Sequence, residues 1–281
     1  MATLDTLSAQ PQTHRIIIYG SPGSGKTWAI GRLAESHNLY YFSLENGYRT
    51  LLNPECVAPE FRKNIQIIQM LDTPETPIAA TSLDSFFRNG KGSFCESHGR
   101  NDCPLCKRSG DPFLDIEISN LGAKDILIFD SLTQWENSIT FSLVGKDSDA
   151  KGDYEYWRKL ALHLSRSLSR IQLINNCSVI VISHEAGIET VAGQDRIVPA
   201  GGSKNFARSN ARFFDGAYYA YKENKRHRLA SASTFSNIID TKDRSAFDAS
   251  QFRDPRNALF VLFNPDKKEQ ILAEENPKGS K

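Results

Sequence analysis

Short apolar runs recur along the chain, and most are continuous rather than alternating. They are RIIIY at 15–19, YYFSL at 40–44, IQIIQML at 65–71, ILIFD at 126–130 and SVIVIS at 178–183. The last two, rich in Ile and Val, have the pattern of strands covered on both faces. The first run leads into GSPGSGKT and then a helical WAIGRLAESH. Between Asp130 and Ser178 the spacing predicts a long helix beginning near Gly152. Trp157, Leu160, Ala161, Leu164, Leu168 and Ile171 share one face of it, so Trp157 is expected in the core. Strands alternating with helices predict an α/β fold, a mostly parallel central sheet flanked by helices. The stretch 89–111 is polar, glycine-rich and nearly empty of aliphatics, and reads as an insertion. Residues 1–13 and 266–281 read as a flexible N-terminal segment and a charged tail, leaving 14–265 as the main domain.

Composition narrows this picture only slightly. A chain of 281 residues can bury a sizeable core without disulfides. Its net charge of +1 says nothing about partners, so only local clusters can. Five cysteines, three of them grouped around His98, fit a reduced compartment better than a disulfide framework. The N-terminus carries no apolar signal-like segment, and no apolar run approaches the roughly 18–20 residues that span a bilayer. A cytoplasmic protein with no membrane partner is expected.

Gly20–Thr27 matches the P-loop pattern G-x4-G-K-[ST] in the right context, after a strand and before a helix. Gly20, Gly23 and Gly25 let successive N–H groups point at phosphate oxygens. Ser21, Pro22, Ser24 and Trp28 complete the stretch expected to bind ATP. Lys26 would reach the β- and γ-phosphates, and Thr27 would offer its hydroxyl to Mg2+. Asp130, closing ILIFD, is the natural second magnesium residue; the alternative is a helix N-cap, since Ser131 and Thr133 follow. Glu45 stands directly after YYFSL, and parallel strands end on one rim, so it can face the γ-phosphate. An exposed turn glutamate before Asn46-Gly47 is the simpler reading of that residue alone.

The order GSPGSGKT, strand–Glu45, ILIFDS, VIVISHE resembles the RecA-like P-loop ATPases, in particular the short phage-encoded members associated with single-strand annealing and recombination. The resemblance spans about residues 14–265. It implies that Glu45 activates the attacking water and that His184, ending the VIVIS strand, senses the γ-phosphate. It also implies that Lys242 and Arg244, in TKDR, reach the ATP site of a neighbouring subunit; the residues alone read as an exposed turn charge pair with Asp240 and Asp243. In such proteins a mobile loop after this strand binds single-stranded DNA. Here GIETVAGQDRIVPAGGSKNFARSN takes that place, and Arg196, Lys204, Arg208 and Arg212 would contact phosphates. Phe206 could stack on a base or be tucked inward. KENKRHR at 222–228 reads equally as a basic surface or a hairpin end.

Cys95, His98, Cys103 and Cys106 form Cys-x2-His-x4-Cys-x2-Cys. This closed set suits a structural Zn2+ and leaves no open catalytic position; the alternative is a set of free, exposed thiols. Burial cannot order so polar a loop, whereas a zinc ion can supply about 10–16 kcal/mol. Arg88, Lys91, Arg100, Lys107 and Arg108 lie in and around it and suggest a DNA or partner contact.

The sequence therefore predicts a RecA-like P-loop core with an inserted zinc-knuckle module. The expected protein is an ATP-hydrolysing, single-stranded-DNA-binding recombination or annealing protein. It would act as a homo-oligomer, ring or filament, with its ATP site completed in trans, and a single-stranded-DNA-binding protein is a further partner. Two alternatives stand beside it: a non-hydrolysing annealing protein whose assembly ATP switches, and a P-loop kinase of a small molecule.

Overall fold

The computed structural model describes residues 12–145, 154–189, 195–231, 239, 241–245 and 247–276. Its centre is an eight-stranded sheet. The strands β1 (Arg15–Tyr19), β2 (Asn38–Ser43), β3 (Ile65–Gln69), β6 (Asp125–Asp130), β7 (Ser178–Ser183) and β10 (Gly216–Glu223) run parallel, in the spatial order β10-β1-β7-β6-β2-β3. Two strands, β11 (Arg226–Ala230) and β12 (Lys242–Asp243), pair antiparallel with β10. Each of the five apolar runs becomes a strand, as the sequence predicts.

The pleat divides the apolar side chains between two cores. Ile17, Phe42, Leu127, Phe129, Val179 and Val181 face α2 (Ile78–Asn89), α4 (Leu132–Val144) and α5 (Tyr154–Gln172). Ile16, Ile18, Tyr41, Ile126, Ile128, Ile180 and Ile182 face the helix α1 (Lys26–Ile30) and α7 (Pro255–Phe263). Burial on both sides is why these strands read as continuous rather than alternating runs. No helix among the described residues is long and apolar enough to cross a membrane.

Several expectations need correction. The buried stripe of α5 runs through Tyr156, Leu160, Leu164, Leu168 and Ile171, while Trp157 is 39% exposed. Tyr156 takes the inner position because its phenol meets the Thr140 hydroxyl of α4 at 2.8 Å. The expected start of this helix near Gly152 lies outside the described residues. The stretch beyond Pro265 is not a loose tail as far as Asn276. It forms α8 (Lys268–Glu275), with Ile271 buried and Glu275 accepting from the backbone N–H of Arg253 (2.6 Å) and Asp254 (3.0 Å) and from Asn257 Nδ2 (2.7 Å). Finally, the segment after β7 is not wholly loop-like. It holds a two-stranded ribbon, β8 (Glu185–Glu189) with β9 (Asp195–Pro199), and then a single turn, α6 (Lys204–Ala207).

The insertion is a small hairpin, β4 (Lys91–Cys95) with β5 (Phe113–Glu117), enclosing α3 (Pro104–Ser109). It extends past the predicted end at residue 111, because β4 needs β5 as its partner.

Candidate nucleotide site

All parallel strands end on one rim, and the candidate residues gather there. A cavity of about 380 Å3 is lined by Lys26, Thr27, Glu45, Asp130, His184 and Lys222, among others. The P-loop wraps the N-terminus of α1. Gly25 has φ +98°, and a Cβ on it would lie 2.5 Å from the His227 ring, so glycine is required on both counts. Ser24 Oγ is buried without a hydrogen-bond partner, which suits a loop shaped to meet phosphate oxygens.

Lys26 curls over the loop, its Nζ donating to Gly20 O at 2.8 Å and Ser21 O at 2.9 Å. Burial lowers its pKa, against the opposing charges of Asp130, Glu45 and Glu185. Thr27 Oγ1 donates to Asp130 Oδ2 at 2.9 Å, so the two predicted magnesium residues are already adjacent. Tyr41 OH also donates to Asp130 Oδ2. Asp130 is buried, and that burial raises its pKa despite the bonds from Tyr41 and Thr27. Such a carboxylate gains most from a cation that compensates its desolvation. The N-cap of α4 is Ser131, whose Oγ accepts from Gln134 N at 3.2 Å, so the helix-cap alternative for Asp130 falls away.

Glu45 lies across the rim. Its Oε1 stands 3.4 Å from His184 Nε2 and accepts from Ser131 Oγ. The His184 bond, ahead of Ser131 and the charge of Lys26, lowers the Glu45 pKa against the effect of burial. The carboxyl is therefore ionised at neutral pH. His184 is fixed from behind, its backbone N–H donating to Thr133 Oγ1 at 3.1 Å, and its Nδ1 is buried with no partner. Tyr41, Ser131, Lys222 and His227 also belong to the site, and sequence reasoning did not assign them there. Tyr41 and Ser131 adjoin recognised motifs and could have been found from strand alternation. Lys222 and His227 come from the β10–β11 hairpin, which His227 Nδ1 ties to Ser24 O at 2.9 Å. Trp28 flanks the cavity with the His227 ring 6.1 Å away on one side and the Arg256 guanidinium 4.6 Å from its ring centre.

A family model for the AAA domain matches residues 12–249. The chain belongs to the AAA-domain family of P-loop ATPases. No curated protein matches the sequence significantly. This AAA domain is similar in structure to an ATPase from the type III secretion system of pathogenic bacteria, at 14% identity and a TM-score of 0.42, covering 88% of this chain and 62% of that one. It is also similar to the ATP synthase subunit NeqB of Nanoarcheaum equitans, at 12% identity and a TM-score of 0.40, covering 96% and 61%. A further similar structure is EscN with its central stalk EscO from enteropathogenic E. coli, at 13% identity and a TM-score of 0.41, covering 93% and 55%. The chain thus spans less than two thirds of the length of each.

The remaining predicted residues lie elsewhere in the domain. Phe206 is buried and stacks on Phe213 at 6.1 Å between ring centres, so it offers no face to a base. The Gly201-Gly202 turn lets α6 fold back and press that ring inward. Arg196, on β9, and Lys204 and Arg208, on and just after α6, are exposed, as is Arg212, whose guanidinium lies 4.6 Å from the Phe213 ring centre. Lys242 and Arg244 sit by the start of β10, at the rim opposite the P-loop. Lys242 Nζ donates to Ala211 O (3.1 Å) and Phe214 O (2.5 Å), and Arg244 pairs with Asp215 at 3.2 Å. Neither is close to this chain's own cavity.

Cys95, His98, Cys103 and Cys106 converge as predicted, their ligand atoms all within 4.8 Å of one another. His98 Nδ1 lies 3.2 Å from Cys106 Sγ and 3.8 Å from Cys95 Sγ. Tetrahedral zinc with bonds of about 2.0–2.3 Å requires such spacing, so the donor set fits the metal.

Proposed function

We propose that this AAA domain binds Mg2+–ATP on the P-loop and hydrolyses it with Glu45 as the base that orients and deprotonates water. Lys26 and the loop N–H groups would hold the phosphates. Thr27 and Asp130 would hold the magnesium ion, which supplies charge neutralisation for the departing phosphoryl group. The observation that carries this reading is the placement of an ionised Glu45, braced by Ser131 and His184, across the cavity from Lys26 and Thr27. His184 touches Glu45 and opens through Glu185 into the β8–β9 ribbon, so it suits a relay between nucleotide state and that ribbon.

The proposed consumer of this cycle is single-stranded DNA, in recombination or annealing of the phage-encoded kind, with the chain working as a homo-oligomer. Support for DNA is the charge of Arg196, Lys204, Arg208 and Arg212 on and after the ribbon. A trans role for Lys242 and Arg244 requires each to exchange its internal partner for a neighbour's phosphate. The four knuckle residues are proposed to hold a structural Zn2+.

The test is ATP hydrolysis by wild type and Glu45→Gln, with and without single-stranded DNA at low salt. Wild-type turnover should rise with DNA, and Glu45→Gln should lose about 10²–10⁴-fold in kcat while still binding ATP. Equal turnover in the two proteins removes Glu45 as the base.

A further inference from the structure

The knuckle is docked on the strand that ends beside Glu45. Gly99 directly follows the ligand His98 and has φ +63°. It presses so closely on the end of β3 that a Cβ would come 2.4 Å from Gln69 O and 3.0 Å from Met70 Cγ. From there the contact continues into the nucleotide site. Gln69 Nε2 donates to Asn46 Oδ1 at 3.0 Å, and Asn46 is the residue after Glu45. Met70 N donates to Ser43 O at 2.8 Å, fixing the end of β2 two residues before Glu45.

A second route is aromatic. Phe94 precedes the ligand Cys95, is 1% exposed, and meets Phe42 of β2 edge-on with ring centres 5.2 Å apart. Phe42 in turn stacks on Phe129 at 4.8 Å, and Phe129 precedes Asp130. The strand ends that carry both carboxylates are thus buttressed from the knuckle. Of the cations in and around it, Lys107 pairs with Asp102 at 2.9 Å and Arg88, on α2, with Asp84 at 3.8 Å, and both stay more than half exposed.

We propose that Gln69 and Asn46 are positioning residues for Glu45, held in place by the metal-loaded knuckle, so that ATP turnover depends on a metal ion that never touches the nucleotide. This rests on Glu45 being the base and on the Cys3His set binding metal. The polar loop between Glu96 and Asn101 has little apolar surface to order it once the metal is gone. Gly99 then withdraws from β3, and the Gln69–Asn46 bond loses its fixed donor. ATP affinity is untouched, because Lys26 and the P-loop lie across the sheet from this contact.

The experiment uses the full chain with Gln69→Ala and Gly99→Ala. Both should keep the zinc content of wild type and its ATP affinity within about twofold, while kcat falls roughly two- to tenfold, the range of one hydrogen bond. Removing zinc from wild type with a chelator should lower kcat alike, and should lower it no further in Gln69→Ala. Amide hydrogen exchange at Leu44–Gly47, measured without nucleotide, should quicken on zinc removal, a readout independent of turnover and available even if Gly99→Ala fails to fold. Unchanged exchange at 44–47 after complete metal loss overturns the proposal, as does a wild type that binds no metal. Exchange that responds to zinc in a protein with no ATP turnover supports the coupling and defeats the ATPase reading instead.

Discussion

Two regions of this molecule were each marked in sequence by a dense local signal, and they fold differently. The nucleotide rim draws Lys26, Glu45, Asp130 and His184 from the ends of four strands into one cavity. The basic span from Arg196 to Arg228 disperses over a ribbon, a helical turn and a hairpin, with Phe206 in the core and Lys222 and His227 lining the P-loop cavity. Strand ends in a parallel sheet converge because the sheet forces them to. Charges close in sequence carry no such constraint, and the β10–β11 turn sends part of the basic cluster to the P-loop cavity rather than to an outer surface.

Lys222 is where that difference can be tested most directly. Its Nζ is 4.0 Å from where a Cβ on Gly23 would stand. Lys222→Ala should lower ATP affinity or turnover about tenfold, the effect of one lost charge-assisted contact, with a smaller effect on ADP. If it weakens DNA binding and leaves nucleotide titrations unchanged, the residue belongs with the basic surface after all.

On the other side of the comparison, the triple change of Lys204, Arg208 and Arg212 to Ala should flatten the log–log salt dependence of single-stranded-DNA binding. A drop of about 2 in slope is expected, at ~0.7 per phosphate contact. An unaltered slope would detach these cations from DNA.

The sheet and the P-loop were legible because their signals are local: continuous Ile/Val runs, a glycine-rich turn between strand and helix, and a carboxylate closing a strand. Glu45 needed more: the rule that parallel strands end together let it face the γ-phosphate, and only the RecA-like resemblance set that reading above an exposed turn glutamate. His227 was not legible, since its place over Gly25 depends on the register that sets Tyr219 opposite Ala230 and Glu223 opposite Arg226. The inward turn of Tyr156 in place of Trp157 was equally hidden. Both are large aromatics, and a hydroxyl on a different helix decides between them.

Smaller effects sharpen the electrostatics of the rim. Burial raises the pKa of Asp130, so between its unfolded and folded values the native state binds more protons, and stability falls as pH rises through that window. Asp130→Asn should then raise the melting temperature of the nucleotide-free protein at neutral pH, at roughly 2–4 °C per kcal/mol relieved, while removing magnesium-dependent turnover. A lowered melting temperature would mean that the carboxylate's bonds outweigh its burial. Glu45 has the opposite sign: the bond from His184 is the largest influence lowering its pKa. His184→Ala should move the acid limb of kcat to higher pH, and an unmoved limb would show that His184 does not set the ionisation of Glu45.

The bonds made by Glu275 give the far end of the chain a reach its position does not suggest. That single carboxylate ties down the N–H groups at the start of α7, and Arg256 in the same turn lies against Trp28, the residue that follows the P-loop. A protease cut or a deletion ahead of Glu275 is therefore a lesion at the nucleotide flank, some 250 residues away along the backbone, whereas a fusion placed after Asn276 leaves that brace whole. Trp28 fluorescence would report the difference.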